Sequence, residues 1–132
     1  MRIFRLYSEG YIDPETEFEY KHINHFREVF PLLHDHDYYE FFVMVKGQLN
    51  HFINNENKVI KKGQLMFIRP KDFHSFGKSA GHVFHYINLA ILRKTIEELF
   101  CYLGKGFNHQ YLIKSKNPHT VFLTDSELQS VL

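Results

Sequence analysis

Between Tyr38 and Ile91 the chain runs in short apolar bursts separated by turn residues. Tyr38 to Lys46 is aromatic and β-branched, Gly47 ends that run, and Gln48 to Ile53 resumes the strand character. Asn54-Asn55-Glu56-Asn57 reads as a polar turn, Lys58 to Ile60 as a short strand, and Lys61-Lys62-Gly63 as a second turn. Leu65 to Ile68 is an apolar strand stopped by Pro70, which cannot donate to a ladder. His82 to Ile91 is the last long strand. Upstream, Glu17 to Tyr20 alternates polar and apolar after an Asp13-Pro14 turn. Short strands with turns at this frequency predict a β-sandwich or barrel.

Beyond Ile91 the period changes. Ile96, Leu99, Phe100 and Leu103 mark one face of a helix, with Thr95 and Glu98 spaced as a capping box and Gly104 suited to the end. That apolar face is expected to pack on the barrel, with a dimer face as the alternative. Lys105 to Pro118 reads as loop, with strand character at Gln110 to Ile113, and Val121 to Leu123 is short and apolar. Thr124-Asp125-Ser126-Glu127 repeats the capping-box spacing ahead of Leu128, Val131 and Leu132. A helix begun so near Leu132 is marginal alone, so the natural protein is expected to continue. The expected division is a barrel over residues 1–92 and a helical extension with short strands over 93–132.

Composition narrows the function classes. A chain of 132 residues suits one domain. Its one cysteine, Cys101, rules out an intrachain disulfide and points to a reducing, cytoplasmic setting, with Cys101 as a small packed residue. No apolar run is long enough to cross a bilayer, and Met1 to Gly10 has no signal-peptide pattern, so no membrane partner is expected. With 16 basic against 15 acidic residues, this chain alone is poorly suited to gripping DNA. The 10 histidines supply ample material for a metal or ligand site.

The segment His34-Asp35-His36-Asp37-Tyr38-Tyr39-Glu40 carries the chemistry. Side chains alternate faces along a strand, so His34, His36, Tyr38 and Glu40 share one. On a helix the two histidines would point to nearly opposite sides. Two imidazoles and a carboxylate make a three-ligand set for a divalent metal that leaves positions open. A facing strand can supply a fourth ligand, and His74 lies just past the strand ending at Pro70. Tyr38, Phe42 and Met44 share the metal face and are candidates to contact a ligand, or plain core. His51 and His85 sit on strands that could face the interior, as ligand contacts, as supports for the metal ligands, or as hydrogen-bonded barrel histidines.

His34, His36, Glu40 and Gly47 stand at the intervals of the first signature segment of the cupin family, and Gly63 and His74 at those of the second. The chain departs from the second segment at Arg69 and Lys71, where the family has Pro and Gly, with Pro70 shifted by one. Lys78 stands in place of a family Asn and Glu28 in place of a Gly. The stretch from His34 to Ser75, with HDHDYYEF and GQLMFIRP, resembles the N-terminal sensor domains of AraC-type transcription regulators. Among these it is most similar to the chitobiose-operon regulator type.

The resemblance implies a mainly β fold, a cupin double-stranded β-helix (jelly-roll barrel), followed by one or two C-terminal helices. It implies a divalent metal (Zn, Ni, Mn or Fe) on His34, His36, Glu40 and His74, and a small-molecule effector, a sugar or aminosugar, in the barrel. DNA would be bound only through a C-terminal domain outside this chain, and regulators of this kind often form homodimers. The rival reading is a small metal-dependent cupin enzyme, a dioxygenase or isomerase. No extra acid or base is evident beside the ligands, which favours a non-catalytic sensor.

Overall fold

The computed structural model describes residues 2–79 and 83–132. Among the described residues nine strands form in chain order: β1 (Phe4–Leu6), β2 (Phe18–Ile23), β3 (His34–His36), β4 (Tyr39–Ile53), β5 (Glu56–Lys61), β6 (Gln64–Ile68), β7 (His74–Gly77), β8 (Phe84–Ile91) and β9 (Thr120–Phe122). Helices α1 (Arg93–Leu103), α2 (His109–Lys114) and α3 (Asp125–Ser130) complete the chain. The fold is mainly β, as expected, with helices gathered at the C-terminal end. His82, expected to begin the last strand, lies outside the described residues.

Strand β4 organises the barrel. Its first half pairs with β6, through Val43, and with β8, through Gly47, while its second half, from Gln48, pairs with β5 and β7. One strand thus belongs to two sheets, and it turns the corner at a bulge between Met44 and Lys46. Gly47, expected to end the strand, instead lies within it. Its φ is +73°, and a Cβ there would fall 1.9 Å from the Val83 carbonyl oxygen, so both the backbone angle and the space demand glycine. The bulge also switches which residues face inward. Phe42 and Met44 point into the core before it, and Leu49, His51 and Ile53 after it.

The inner core is closed by Ile60, Met66, Ile68, Phe84 and Tyr86 from the other strands. The outer face of the β4–β6–β8 sheet is covered as well, which explains why Tyr38 to Lys46 reads as nearly continuous apolar sequence. Tyr39 and Phe67 pack under Ile96 and Phe100 of α1, while Val43 and Ile87 pack under Leu128 of α3. Leu99 and Leu103, on the expected apolar face of α1, stay exposed.

Three local expectations are corrected. Helix α1 starts at Arg93 without a side-chain cap, and the Thr95 hydroxyl donates to Glu17 Oε1 at 3.0 Å, so Thr95 and Glu98 form no capping box. Gln110 to Ile113 is helical because Asn108 caps the Tyr111 amide and Leu112 and Ile113 reach the cluster around Phe100. Cys101 is exposed, on the solvent side of α1, rather than packed. The second capping box forms as read, with Thr124 and Glu127 each accepting the other's backbone amide. Strand β9 joins the barrel sheet through β6, so the C-terminal segment is part of the architecture. Among the described residues, no helix is long and apolar enough to cross a membrane.

Candidate metal and ligand site

Strand β3 is only three residues long, yet it delivers two histidines to one face. His34 is directly opposite His74 in the antiparallel β3–β7 pair, which brings residues 40 positions apart into contact. The His34 and His74 ring centroids are 4.6 Å apart, and His36 and His74 are 5.7 Å apart. One nitrogen from each of His34, His36 and His74 lies within 4.8 Å of the others, and all three residues are buried. Glu40, on the inward face of β4, places Oε1 2.5 Å from His36 Nε2.

The other ring nitrogens are already committed. His34 Nδ1 donates to the Leu32 carbonyl at 2.9 Å, and His36 Nδ1 to the Tyr38 carbonyl at 2.7 Å. A carbonyl can only accept, so in the neutral rings Nε2 carries the lone pair. His74 Nδ1 is held by His51 Nε2 at 2.8 Å. His36 Nε2 and His74 Nε2 are sealed from solvent without an aligned hydrogen-bond partner; Glu40 approaches the former closely but off the hydrogen-bond angle. Buried polar atoms left this way are costly. Orphaned imidazole nitrogens converging beside a carboxylate, each ring steered by its other nitrogen, fit a divalent cation.

Electrostatics separates the histidines. Burial lowers the His34 pKa, and lowers that of His74 much further with help from its three histidine neighbours. Burial also pushes His51 down to about 3. For His36 burial acts in the same direction, but the Glu40 carboxylate more than offsets it and the pKa rises. Burial would raise Glu40, yet His36 holds its pKa below the ordinary value. The metal-free site therefore favours charge on the His36–Glu40 pair and disfavours it on His34 and His74.

His34 and His74 open on a cavity of about 300 Å³, also lined by Tyr38 and Glu40, while His36 is buried out of its lining. Tyr38 also stacks on His36, with centroids 4.4 Å apart. Phe42 and Met44 share the inward face but are absorbed by the inner core, and neither lines the cavity. His51 stands behind His74 rather than in the cavity. His85 is on the outside: the inward positions of β8 are Phe84, Tyr86 and Asn88, so the residue between points away, where its Nε2 lies 2.8 Å from His22 Nδ1.

Lining residues missed in the sequence include Tyr11, Lys21, Tyr86 and Asn88. Tyr86 and Asn88 share the alternation of Phe84, a signal that was present in the sequence. Tyr11 comes from an irregular N-terminal segment that carries no periodic signal.

The family description of AraC-like ligand binding domains matches residues 16–121 of this chain. No curated protein matches. Among solved structures, an apo variant of ToxT from Vibrio cholerae is similar with a TM-score of 0.60 at 13% identity, over 87% of this chain and 45% of that one. Wild-type ToxT from the same species, bound to unsaturated fatty acid, gives 0.57 at 16% identity, over 88% and 44%. A Cupin 2 conserved barrel domain protein from Salinispora arenicola gives 0.50 at 15% identity, over 62% and 69%. These likenesses establish the cupin-type fold. The chain spans less than half the length of the ToxT chains.

Proposed function

This chain belongs to the AraC-like ligand-binding domain family, and from that premise we propose that it is the effector-sensing part of an AraC-type transcription regulator. The observation that carries the proposal is the convergence of His34, His36 and His74 beside a cavity of about 300 Å³, the lower end of small-molecule sites, with His34 and His74 in its wall and His36 buried behind it. His34, His36, Glu40 and His74 would hold a divalent metal (Zn, Ni, Mn or Fe), with His51 orienting His74. Such an ion, when bound, supplies a Lewis-acidic point that can take a hydroxyl or amine of the effector. Tyr38 contacts the effector from the wall, whereas Phe42 and Met44 support the cavity from the core.

The effector in this reading is a sugar or aminosugar, as the similarity of HDYYEF to the chitobiose-operon regulator type suggests. The barrel over residues 1–92 binds it, and the extension over 93–132 leads toward a DNA-binding domain in the full regulator. The working protein is a cytoplasmic homodimer without catalytic activity. An effector can shift such a regulator only by its difference in affinity for two conformations.

The test is metal analysis of the purified chain, followed by thermal-shift titration of sugars and aminosugars with the metal-loaded form. Stabilisation by one of them, lost in His34→Ala and His74→Ala, is the expected result. Absence of any such stabilisation, while the full-length regulator still responds to a sugar in cells, overturns the reading. Turnover of a small substrate by the iron- or manganese-loaded chain would replace it with the enzyme reading.

A further inference from the structure

Three tyrosines reach the cavity from separate parts of the chain: Tyr11 from the N-terminal segment, Tyr38 from the β3–β4 junction and Tyr86 from β8. Tyr38 and Tyr86 are only 2% and 3% exposed. A buried phenol ordinarily finds a hydrogen-bond partner for its hydroxyl. Among the described residues, the one phenol hydroxyl bonded within the chain is that of Tyr20, on His22 at the outer surface. The atoms sealed from solvent without a partner belong to histidines and to Asn117, and no phenol is among them. Among the described residues the hydroxyls of Tyr38 and Tyr86 therefore have no partner and are not sealed, and both residues line the cavity.

Charge on the cavity wall is distributed unevenly. Deep in the site the carboxylate is Glu40, and it is paired with His36. Lys21 and Glu28 also line the cavity, but both are solvent-exposed at its rim, and Lys21 lies over the Tyr11 ring at 4.7 Å. An ammonium group carried to the phenols would lose its water while Glu40 is already paired and the other lining carboxylate, Glu28, stays solvated at the rim. A neutral hydroxyl would meet groups that both donate and accept, as it does itself. A phenol keeps its proton at neutral pH, so each of the three presents a hydroxyl that can both donate and accept.

We propose that Tyr38 and Tyr86, with Tyr11 at the mouth, form the specificity-determining wall of the cavity and select a neutral polyhydroxylated ligand of monosaccharide size over one that carries a protonated amine. This inference rests on the sensing role and narrows its ligand. Tyr38 and Tyr86 bond ligand hydroxyls directly, and Tyr11 closes the same wall nearer solvent.

The experiment is calorimetric titration of the chain, with and without Zn²⁺, using glucose, N-acetylglucosamine and glucosamine at a pH where the amine is protonated. The expected result is saturable binding of at least one neutral sugar and weaker binding of glucosamine. Tyr38→Phe and Tyr86→Phe should each weaken the neutral sugar roughly 10-fold, since each leaves a ligand hydroxyl unpaired. Both variants retain the ring, so Zn²⁺ affinity and melting temperature should stay near the parent's. Glucosamine binding as tightly as the neutral sugars, or both variants binding like the parent, overturns the inference and leaves sugar sensing standing. Failure of all three sugars to bind removes the sugar reading and this inference with it.

Discussion

The ion pair between Arg69 and Asp72 offers the strongest test of how the chain is held together. Arg69 replaces a proline expected from the cupin pattern, and its guanidinium is buried, with side-chain exposures of 1% and 0% for the pair. Nε and Nη2 donate to the two Asp72 oxygens at 2.8 and 2.9 Å, a bidentate fork. Nη1 donates to the Leu112 carbonyl and to Ser115 Oγ, each at 2.7 Å, so Arg69 also ties down the end of α2. Arg69→Met keeps much of the volume but strands a buried carboxylate whose remaining donors are the residue 69 amide and Asn54 Nδ2, each at 2.8 Å. Breaking one side of a buried pair costs about 3–5 kcal/mol. The α2 carbonyls add little, because they are only partly buried and water can reach them. Against a total stability of about 5–15 kcal/mol for a domain, this is a large share. The double variant Arg69→Met/Asp72→Asn removes the stranded charge and should recover about 2 kcal/mol. The assay is urea denaturation followed by far-ultraviolet circular dichroism, since the chain has no tryptophan. A loss below about 1 kcal/mol in Arg69→Met, or a double variant no more stable than the single, would refute the reasoning.

Acid should destabilise the metal-free chain. Burial holds the folded-state pKa values of His34, His51 and His74 below the unfolded value, so the unfolded state binds more protons as pH falls below about 6.5. His51, at about 3, contributes most clearly, up to ~1.4 kcal/mol per pH unit. The raised His36 has the opposite sign: its contribution is complete below about 6.5 and is lost as pH rises through its folded value. Glu40 contributes above its ordinary range and loses that contribution as pH falls through its lowered value. Urea midpoints that stay level or rise between pH 6.5 and 5 would contradict this balance. Gly47→Ala should cost at least ~2 kcal/mol, because a Cβ meets the Val83 carbonyl at 1.9 Å; Gly10→Ala, with a similar φ of +79° and open space, should cost about 1 kcal/mol. Equal losses in the two variants, measured by denaturation, would exclude the clash as the cause. His51→Phe keeps an aromatic ring behind His74 but removes the atom that holds its Nδ1, and should lower Zn²⁺ affinity about 10- to 100-fold by calorimetry. An unchanged affinity would show that His74 needs no such support.

Local alternation made much of the site readable. Period two put His34, His36, Tyr38 and Glu40 on one face, and all four are buried, although a bend at Asp37–Tyr38 divides the expected strand into β3 and β4. The same rule failed wherever one residue changed the count. The bulge after Met44 moves the inward face to His51, which is why His51 and Phe42 both point inward although they differ in parity. His85 was misplaced for the simpler reason that its neighbours Phe84 and Tyr86 claim the interior of β8. The α2 segment has a β-like composition at Gln110 to Ile113, and its helix depends on the Asn108 cap and on packing against α1, neither of which an isolated window reveals. Tyr11 enters the cavity through long-range chain placement alone.

The site and the C-terminal extension meet in one turn. Asp72 binds Arg69 and Asn54, and Asn54 in turn accepts the Phe73 amide at 3.1 Å and donates its own amide to the Phe73 carbonyl at 3.0 Å. The next residue is His74, the triad member supplied by β7. The turn that aims His74 at the site is therefore clamped by the same guanidinium that holds the end of α2. Two of the departures from the cupin pattern, Arg69 and Lys71, fall in this turn, and both reach the α2 end: Arg69 through Leu112 and Ser115 Oγ, Lys71 through the Ser115 carbonyl at 3.0 Å. A cupin proline and glycine would give the turn its shape through the backbone alone, proline by fixing φ and glycine by permitting conformations closed to other residues. Here side chains that bind the extension give it that shape, so the geometry of His74 and the seating of α2 are set by one hydrogen-bonded network.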